Sequence, residues 1–327
     1  MALEYICEGI DRLVTLDLKG RCNIYSTHDA ANKIAGMPAV RLAAQRITSA
    51  MEGGGTALIT TGFRIPPKNI QETDGPPGAA ALARILGLLF NANTLMVTEE
   101  ASIGMLTVAL KAIGVRLVAA EKLGSVGVKN SVAVMGFPIE PKDAEREAKR
   151  ILGEYKPSLV LAIEKAGRNS KGEYHTWRGV NISAQHAKVE PLIEEARNRR
   201  ILTVGIGDTG NEVGMGNIKE TVEKSVPYAN NCQCPCGGGT AAESKVDVLV
   251  AAAISNWGAY GIEACLAYLA GRPDALHDSR LEESMLKKMV DAGSIDGITG
   301  LNEFSVDNVP GALHMAVVDM LNELIGT

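Results

Sequence analysis

Ile201-Leu202-Thr203-Val204-Gly205-Ile206-Gly207-Asp208-Thr209-Gly210-Asn211-Glu212-Val213-Gly214-Met215-Gly216-Asn217 decides how the rest of the chain is read. Five glycines in the thirteen residues from Gly205 exclude a regular helix or strand there, because glycine is costly in both. The apolar run to Ile206 therefore reads as a buried strand that empties into a tight loop. Asp208, Asn211, Glu212 and Asn217 bring oxygens and amides to that loop at short spacing, which suits a cation or a small polar ligand. Gly205, Gly207 and Gly210 formally spell the dinucleotide fingerprint. That fingerprint requires a helix to open at once and an acid about 20 residues on. Here Asn211-Glu212 and two more glycines follow instead, and a plain connector would need no clustered carboxylates.

Outward from this loop, apolar runs alternate with helical patterns. Strands are expected at 56–63, 94–98, 115–120, 131–137, 158–163, 201–206 and 246–253, with helices from Pro76 to Leu89 and over 101–113, 141–154, 184–199, 255–270, 280–292 and 310–325. The order implies an α/β fold with a mostly parallel, Rossmann-like sheet flanked by helices. Residues 1–53 read as an N-terminal helical layer packed on a main domain at 54–327, and two lobes with a site between them stay open as an alternative.

The net charge of −5 and the lack of any Lys/Arg-rich run exclude a nucleic-acid partner, and no apolar run is long enough to span a bilayer. Acids at Glu4, Glu8, Asp11 and Asp17 are wrong for a signal or transit peptide, which places the chain in the cytoplasm. Cys232, Cys234 and Cys236 are spaced too tightly for a tetrahedral zinc site unless Cys265 or a histidine joins them. A mobile loop with free thiols is the alternative.

Several strand ends carry chemistry. Glu72-Thr73-Asp74-Gly75-Pro76-Pro77-Gly78 follows the strand at 56–63, where open α/β sheets bind ligands. Pro76 and Pro77 fit a helix's first turn, so Asp74 is either an N-cap or a site acid, and the amides at Gly75 and Gly78 form an anion site. Glu164 leaves the strand at 158–163, and Asn256 leaves the one at 246–253. Arg168 and Arg178 flank a turn, and either guanidinium could clamp a carboxylate or form a surface ion pair. Glu99 and Glu100 also sit at a strand end but read better as solvated loop acids.

Together, Thr61-Gly62-Phe63, Glu72 to Ala79, Ile163-Glu164 with Gly167-Arg168, Gly207-Asp208 with Gly210-Asn211-Glu212 and Gly214-Met215-Gly216, and Ser255-Asn256-Trp257-Gly258 resemble the D-glutamate cyclase family from about residue 54 onward. The chain departs from that pattern at Thr209, where glycine is usual, at Lys165-Ala166 and in the cysteine-rich insert. The resemblance implies an α/β fold and a hydro-lyase that closes D-glutamate to 5-oxo-D-proline and water with Mn2+ or Mg2+. On that reading Asp74, Asp208 and Glu212 are the metal ligands. Glu72, Glu164 and Asn211 are catalytic, with Glu72 or Glu164 as the acid or base. Arg168, Arg178, Gly75, Gly78 and Asn256 bind substrate, a small carboxylate. The same parts also describe a Mn2+- or Mg2+-dependent phosphatase with a phosphate substrate, and a non-catalytic sensor of an acidic amino acid is the third reading. A homo-oligomer is compatible with all three.

Overall fold

The computed structural model describes residues 2–20 and 23–326. Seven strands form one parallel sheet: β1 (Thr56–Gly62), β2 (Asn93–Thr98), β3 (Arg116–Leu117), β4 (Ser131–Gly136), β5 (Leu159–Lys165), β6 (Leu202–Gly207) and β7 (Val248–Ala251), in the order β3-β4-β2-β1-β5-β6-β7. Helices α1 (Ala2–Leu13), α2 (Ile24–Ala35) and α3 (Ala39–Met51) precede the sheet. Helices α4 (Pro76–Phe90), α5 (Ile103–Ala112), α6 (Pro141–Tyr155), α7 (Glu190–Asn198) and α8 (Lys219–Ser225) lie between its strands, and α9 (Ser255–Leu269), α10 (Ser279–Asp291) and α11 (Gly311–Gly326) follow. This is the α/β architecture with an N-terminal helical layer that the alternating pattern implied. Among the described residues no helix is long and apolar enough to cross a membrane.

Strand periodicity builds two cores. Ala57, Ile59, Leu161, Ile163, Val204 and Val250 face a layer made by α1, α3, α4, α9 and the C-terminal helices. Leu58, Val160, Ala162 and Leu249, their neighbours in sequence, face α6, α7 and α8. Successive side chains point to opposite faces, so strands covered on both sides must be apolar throughout.

The chain leaves β1 toward β2 on one side, whereas β5 leads to β6 and β7 on the other. The strand order therefore reverses between β1 and β5. That is where the carboxyl ends of an open sheet leave a crevice.

Several elements are shorter than expected, among them β7, which spans Val248–Ala251 where 246–253 was expected. Only Arg116 and Leu117 pair at the sheet edge, where 115–120 was expected, because a 3-10 turn at Ala120–Lys122 takes over. Helix α7 starts at Glu190 rather than Ala184, since Pro191 fits only a first helical turn. Residues 183–189 instead make a 3-10 turn and an extended crossing in which His186 Nε2 accepts the Arg64 amide at 3.0 Å.

Helix α9 is pinched. A Cβ on Gly78 of α4 would lie 2.8 Å from the Ala259 Cβ and 3.2 Å from the Asn256 Cα. On the other side of α9, the N-terminal residues Val14 and Val40 stand 3.1 Å from where a Gly261 side chain would begin. Close approach of α4 and α9 thus depends on Gly78. Gly78→Val is expected to lower stability by about 1–3 kcal/mol, as overpacking does. Gly104→Ala, at an open position in α5, should leave stability equal or slightly higher. Chemical denaturation of both variants checks this; equal midpoints would show that the crossing is not tight.

Candidate active site

The two helices pressed together at Gly78 are joined at their N-termini by a reciprocal clasp. Asp74 Oδ1 accepts the amides of Asn256 at 2.8 Å and Gly75 at 3.0 Å, and Asp74 Oδ2 accepts the Ser255 amide at 3.0 Å. In return Asn256 Oδ1 accepts the amides of Gly75 at 3.0 Å and Gly78 at 2.9 Å, while its Nδ2 donates to the Thr73 carbonyl. Asp74 thus serves the first turn of α9, and Asn256 serves the first turn of α4. The anion site expected at the Gly75 and Gly78 amides is filled by the protein's own Asn256. Gly75 has φ of 96°, and a Cβ there would lie 2.9 Å from the Glu164 Cβ, so only glycine lets the loop pass.

Glu164 sits where the β1–β5 register slips: Thr61 pairs with Ile163 and Gly62 with Lys165. Glu164 itself has φ of 41°, an uncommon conformation for a residue with a side chain. The slip aims its carboxylate into the crevice, where Oε2 accepts the Ser255 hydroxyl at 2.6 Å. From β6, the turn Asp208 to Gly210 wraps around Glu212. Glu212 Oε1 accepts the amides of Thr209 at 2.8 Å and Asp208 at 3.2 Å, and Oε2 accepts the Gly210 amide at 2.7 Å. Asn211 Oδ1 accepts the Thr209 hydroxyl, and Asn211 Nδ2 donates to the His175 carbonyl at 2.8 Å.

A further acid, Asp307, comes from the far end of the chain. Residues 305–306 and 309–310 form a two-residue hairpin whose turn, Asp307-Asn308, has φ of 53° and 61°. Both values are left-handed, as the favoured hairpin turns require. Asp296 holds this loop by accepting the Ser305 hydroxyl at 2.6 Å and the Asn308 amide at 2.7 Å. The loop is stitched to the segment after β1 through the Thr73 amide on the Ile295 carbonyl and the Thr73 hydroxyl on the Ser305 carbonyl. Sequence reading missed Asp307 and Asp296 as site residues. The available signal was the Asp-Asn pair between Ser305-Val306 and Val309-Pro310.

Two sets of buried acids have oxygens within 4.8 Å of one another: Asp74, Asp208 and Asp307, and Glu164, Asp208 and Glu212. Asp208 belongs to both. Burial raises the pKa of Glu72, Asp74 and Glu164 well above ordinary carboxylate values, and neighbouring acids add to the shift: Asp307 for Glu72 and Asp74, and Asp208 for Glu164. The charges that act most strongly on Glu72 and Glu164 are all carboxylates. Such an array holds protons, a cation, or both.

Glu72, Glu164, Asp208 and Asp307 floor a small pocket of about 20 Å³ that Phe63, Trp177 and Ile298 also line. Trp177, Gly297 and Ile298 are shared with an adjoining cleft of about 660 Å³, whose wall includes Arg178. The Arg178 guanidinium lies over the Trp177 ring at 4.6 Å and donates to the Ile298 carbonyl at 3.1 Å. Arg168 is elsewhere: its guanidinium pairs with Glu194 at 2.5 Å beside an outer hollow lined by Glu145 and Lys149. Glu99, expected as a solvated acid, is buried in an ion pair with Lys165, whose Nζ also donates to the Gly62 carbonyl. Glu100 is exposed.

The profile of the family described as "D-glutamate cyclase-like, C-terminal" matches residues 13–322. The chain belongs to that family. The match takes in α2 and α3 as well as the sheet. The mitochondrial D-glutamate cyclase of Homo sapiens is 27% identical over 312 residues, which is 83% of this chain and 45% of the human protein. The chain thus spans less than half the length of that relative. Apart from Asp307, the clustered acids lie on the segments that carried the family resemblance.

From the ordinary value of 4.5 upward, unfolded Glu164 gains the free energy of ionisation, while folded Glu164 stays protonated until its own higher pKa. Its contribution to stability is therefore lost as pH rises above about 4.5. Glu164→Gln keeps the acceptor for Ser255 and removes the titration. In metal-free buffer the variant is expected to gain on wild type as pH rises above about 4.5, read as the difference in melting temperature. A difference that stays flat with pH would refute the shift.

Proposed function

We propose that the cluster catalyses metal-assisted ring closure of D-glutamate to 5-oxo-D-proline with loss of water. The observation that carries this reading is the convergence of Asp208, Glu212 and Asp307 with three acids of raised pKa, Glu72, Asp74 and Glu164, at the foot of a cleft walled by Arg178. The donors are hard oxygens, which fit Mn2+ or Mg2+ and not a thiophilic ion. Asp74, Asp208 and Asp307, or Asp208 with Glu164 and Glu212, would hold such an ion. When bound, it supplies Lewis-acid polarisation of the substrate's γ-carboxylate and offsets the charge developing there.

The remaining work falls to side chains. Arg178 offers a planar fork to the substrate α-carboxylate at the cleft wall, and Trp177 keeps that fork in place. The substrate ammonium must lose two protons, and the departing carboxylate oxygen must gain two to leave as water. Glu72 and Glu164 both line the small pocket, and their raised pKa values suit them to take the first and deliver the second. Glu212, fixed by three amides of the turn that carries Asp208, orients that acid. Apolar Phe63, Ile65 and Ile298 limit water at the reacting atoms.

Incubation with D- or L-glutamate and Mn2+, followed by chiral chromatography of 5-oxoproline, tests the reading. Turnover of the D isomer is expected, and Asp208→Asn should lower metal-dependent kcat/KM at least a hundredfold, equivalent to about 2.7 kcal/mol. Wild-type turnover in that variant would remove Asp208 from the mechanism. Release of phosphate from phosphomonoesters without 5-oxoproline formation would replace the cyclase reading with that of a phosphatase. Arg178→Met should raise KM for D-glutamate about tenfold or more while kcat changes less.

A further inference from the structure

Residues 226–247, between α8 and β7, form neither helix nor strand. A connection this long in a compact domain calls for something to hold it. His175, from the loop after β5, and Cys232, Cys234 and Cys236 place one donor atom each within 4.8 Å of the others. His175 Nε2 is 3.2 Å from Cys234 Sγ and 3.6 Å from Cys236 Sγ, and Cys232 Sγ is 3.5 Å from Cys234 Sγ and 3.3 Å from Cys236 Sγ. A tetrahedral centre with Zn–S bonds of about 2.3 Å and a Zn–N bond of about 2.0–2.1 Å has edges of roughly 3.6–3.8 Å. The four donors therefore stand at nearly the corners such an ion needs. None of the three thiols is in a disulfide.

The surroundings match a thiolate centre as well. Cys236 Sγ accepts the Gly238 amide at 3.4 Å and Asn169 Nδ2 at 3.5 Å, and Cys234 Sγ accepts Asn181 Nδ2 at 3.8 Å. Donors aimed at sulfur offset thiolate charge and fix the ligands. Asn169 is itself held, because its Oδ1 accepts the amides of Lys171 and Glu173 and its Nδ2 also donates to the Gly239 carbonyl. Cys265, the other cysteine considered from sequence, lies apart, with its Sγ 3.6 Å from Cys7 Sγ.

We infer that His175, Cys232, Cys234 and Cys236 bind a structural Zn2+ ion that staples the 226–247 connection to the wall of the substrate cleft. All four protein ligands are taken, so no open position remains for chemistry. The staple acts on the wall through short contacts: the Gln233 amide donates to the Gly179 carbonyl at 3.0 Å, and Gln233 Nε2 donates to the Arg178 carbonyl at 2.9 Å. On the other side of His175, its carbonyl accepts Asn211. The ion thus stands between the cysteine loop and the segment that carries Trp177 and Arg178. The inference is independent of the acid cluster and of the reaction assigned to it.

The full chain, purified under reducing conditions without chelators, is expected to contain one zinc per molecule by elemental mass spectrometry. Reduced metal-free protein given Co2+ should show thiolate-to-cobalt charge transfer and the visible bands of a tetrahedral centre. Cys234→Ser should weaken that charge transfer and lower zinc content, whereas His175→Cys, which supplies a fourth thiolate, should retain one zinc. Zinc removal should speed hydrogen exchange at 174–181 and 230–240 and leave the β5 amides unchanged. Zinc well below stoichiometry together with no cobalt spectrum after reconstitution would overturn the inference. So would a Cys234→Ser protein that keeps full zinc content, or native thiols that alkylate as fast as denatured ones.

Discussion

The interaction on which the site depends is the exchange of hydrogen bonds between Asp74 and Asn256. Each side chain takes the free amides at the start of the other's helix, so the N-termini of α4 and α9 are capped by residues about 180 positions apart. The positive ends of the two helices then face the same crevice, which is where a group of acids can be tolerated. Glu164 is tied to the same point through Ser255, and Gly78 lets the two helices meet closely enough for the exchange to occur. Removal of either partner would leave amides buried without acceptors.

Around that clasp the protein concentrates negative charge where water is scarce. Buried like charges are costly, and the fold meets the cost by raising pKa values at Glu72, Asp74 and Glu164. Glu212 has its oxygens turned onto backbone amides of the glycine loop. A cation shared by Asp208 and its neighbours would relieve the remaining repulsion. By contrast, the Glu99–Lys165 pair is buried and neutralised, with further hydrogen bonds to the Ala187 amide and the Gly62 carbonyl.

The wall opposite the acids is built without regular secondary structure. Trp177 and Arg178 owe their position to the loop after β5, which is braced by Gln233 on one side and by Asn211 on the other. A thiolate and imidazole cluster at the base of that wall supplies rigidity that helices and strands do not. The hard-oxygen and soft-sulfur donor sets are thereby kept apart, and each suits a different kind of cation.

The sequence by itself determined the sheet, because strands covered on both faces must be apolar and the breaks between them must carry glycine, proline and polar residues. It also exposed the acids at 72–74, 164 and 208–212, since each follows a strand and so lies at the same edge of a parallel sheet. Only the tertiary structure decided that Asp307 joins them, that Asn256 fills the anion site at Gly75 and Gly78, that Arg168 faces outward while Arg178 faces the cleft, and that His175 completes the cysteine set. Those outcomes depend on contacts between segments more than 50 residues apart or on the direction in which a loop turns. Local propensity carries no record of either.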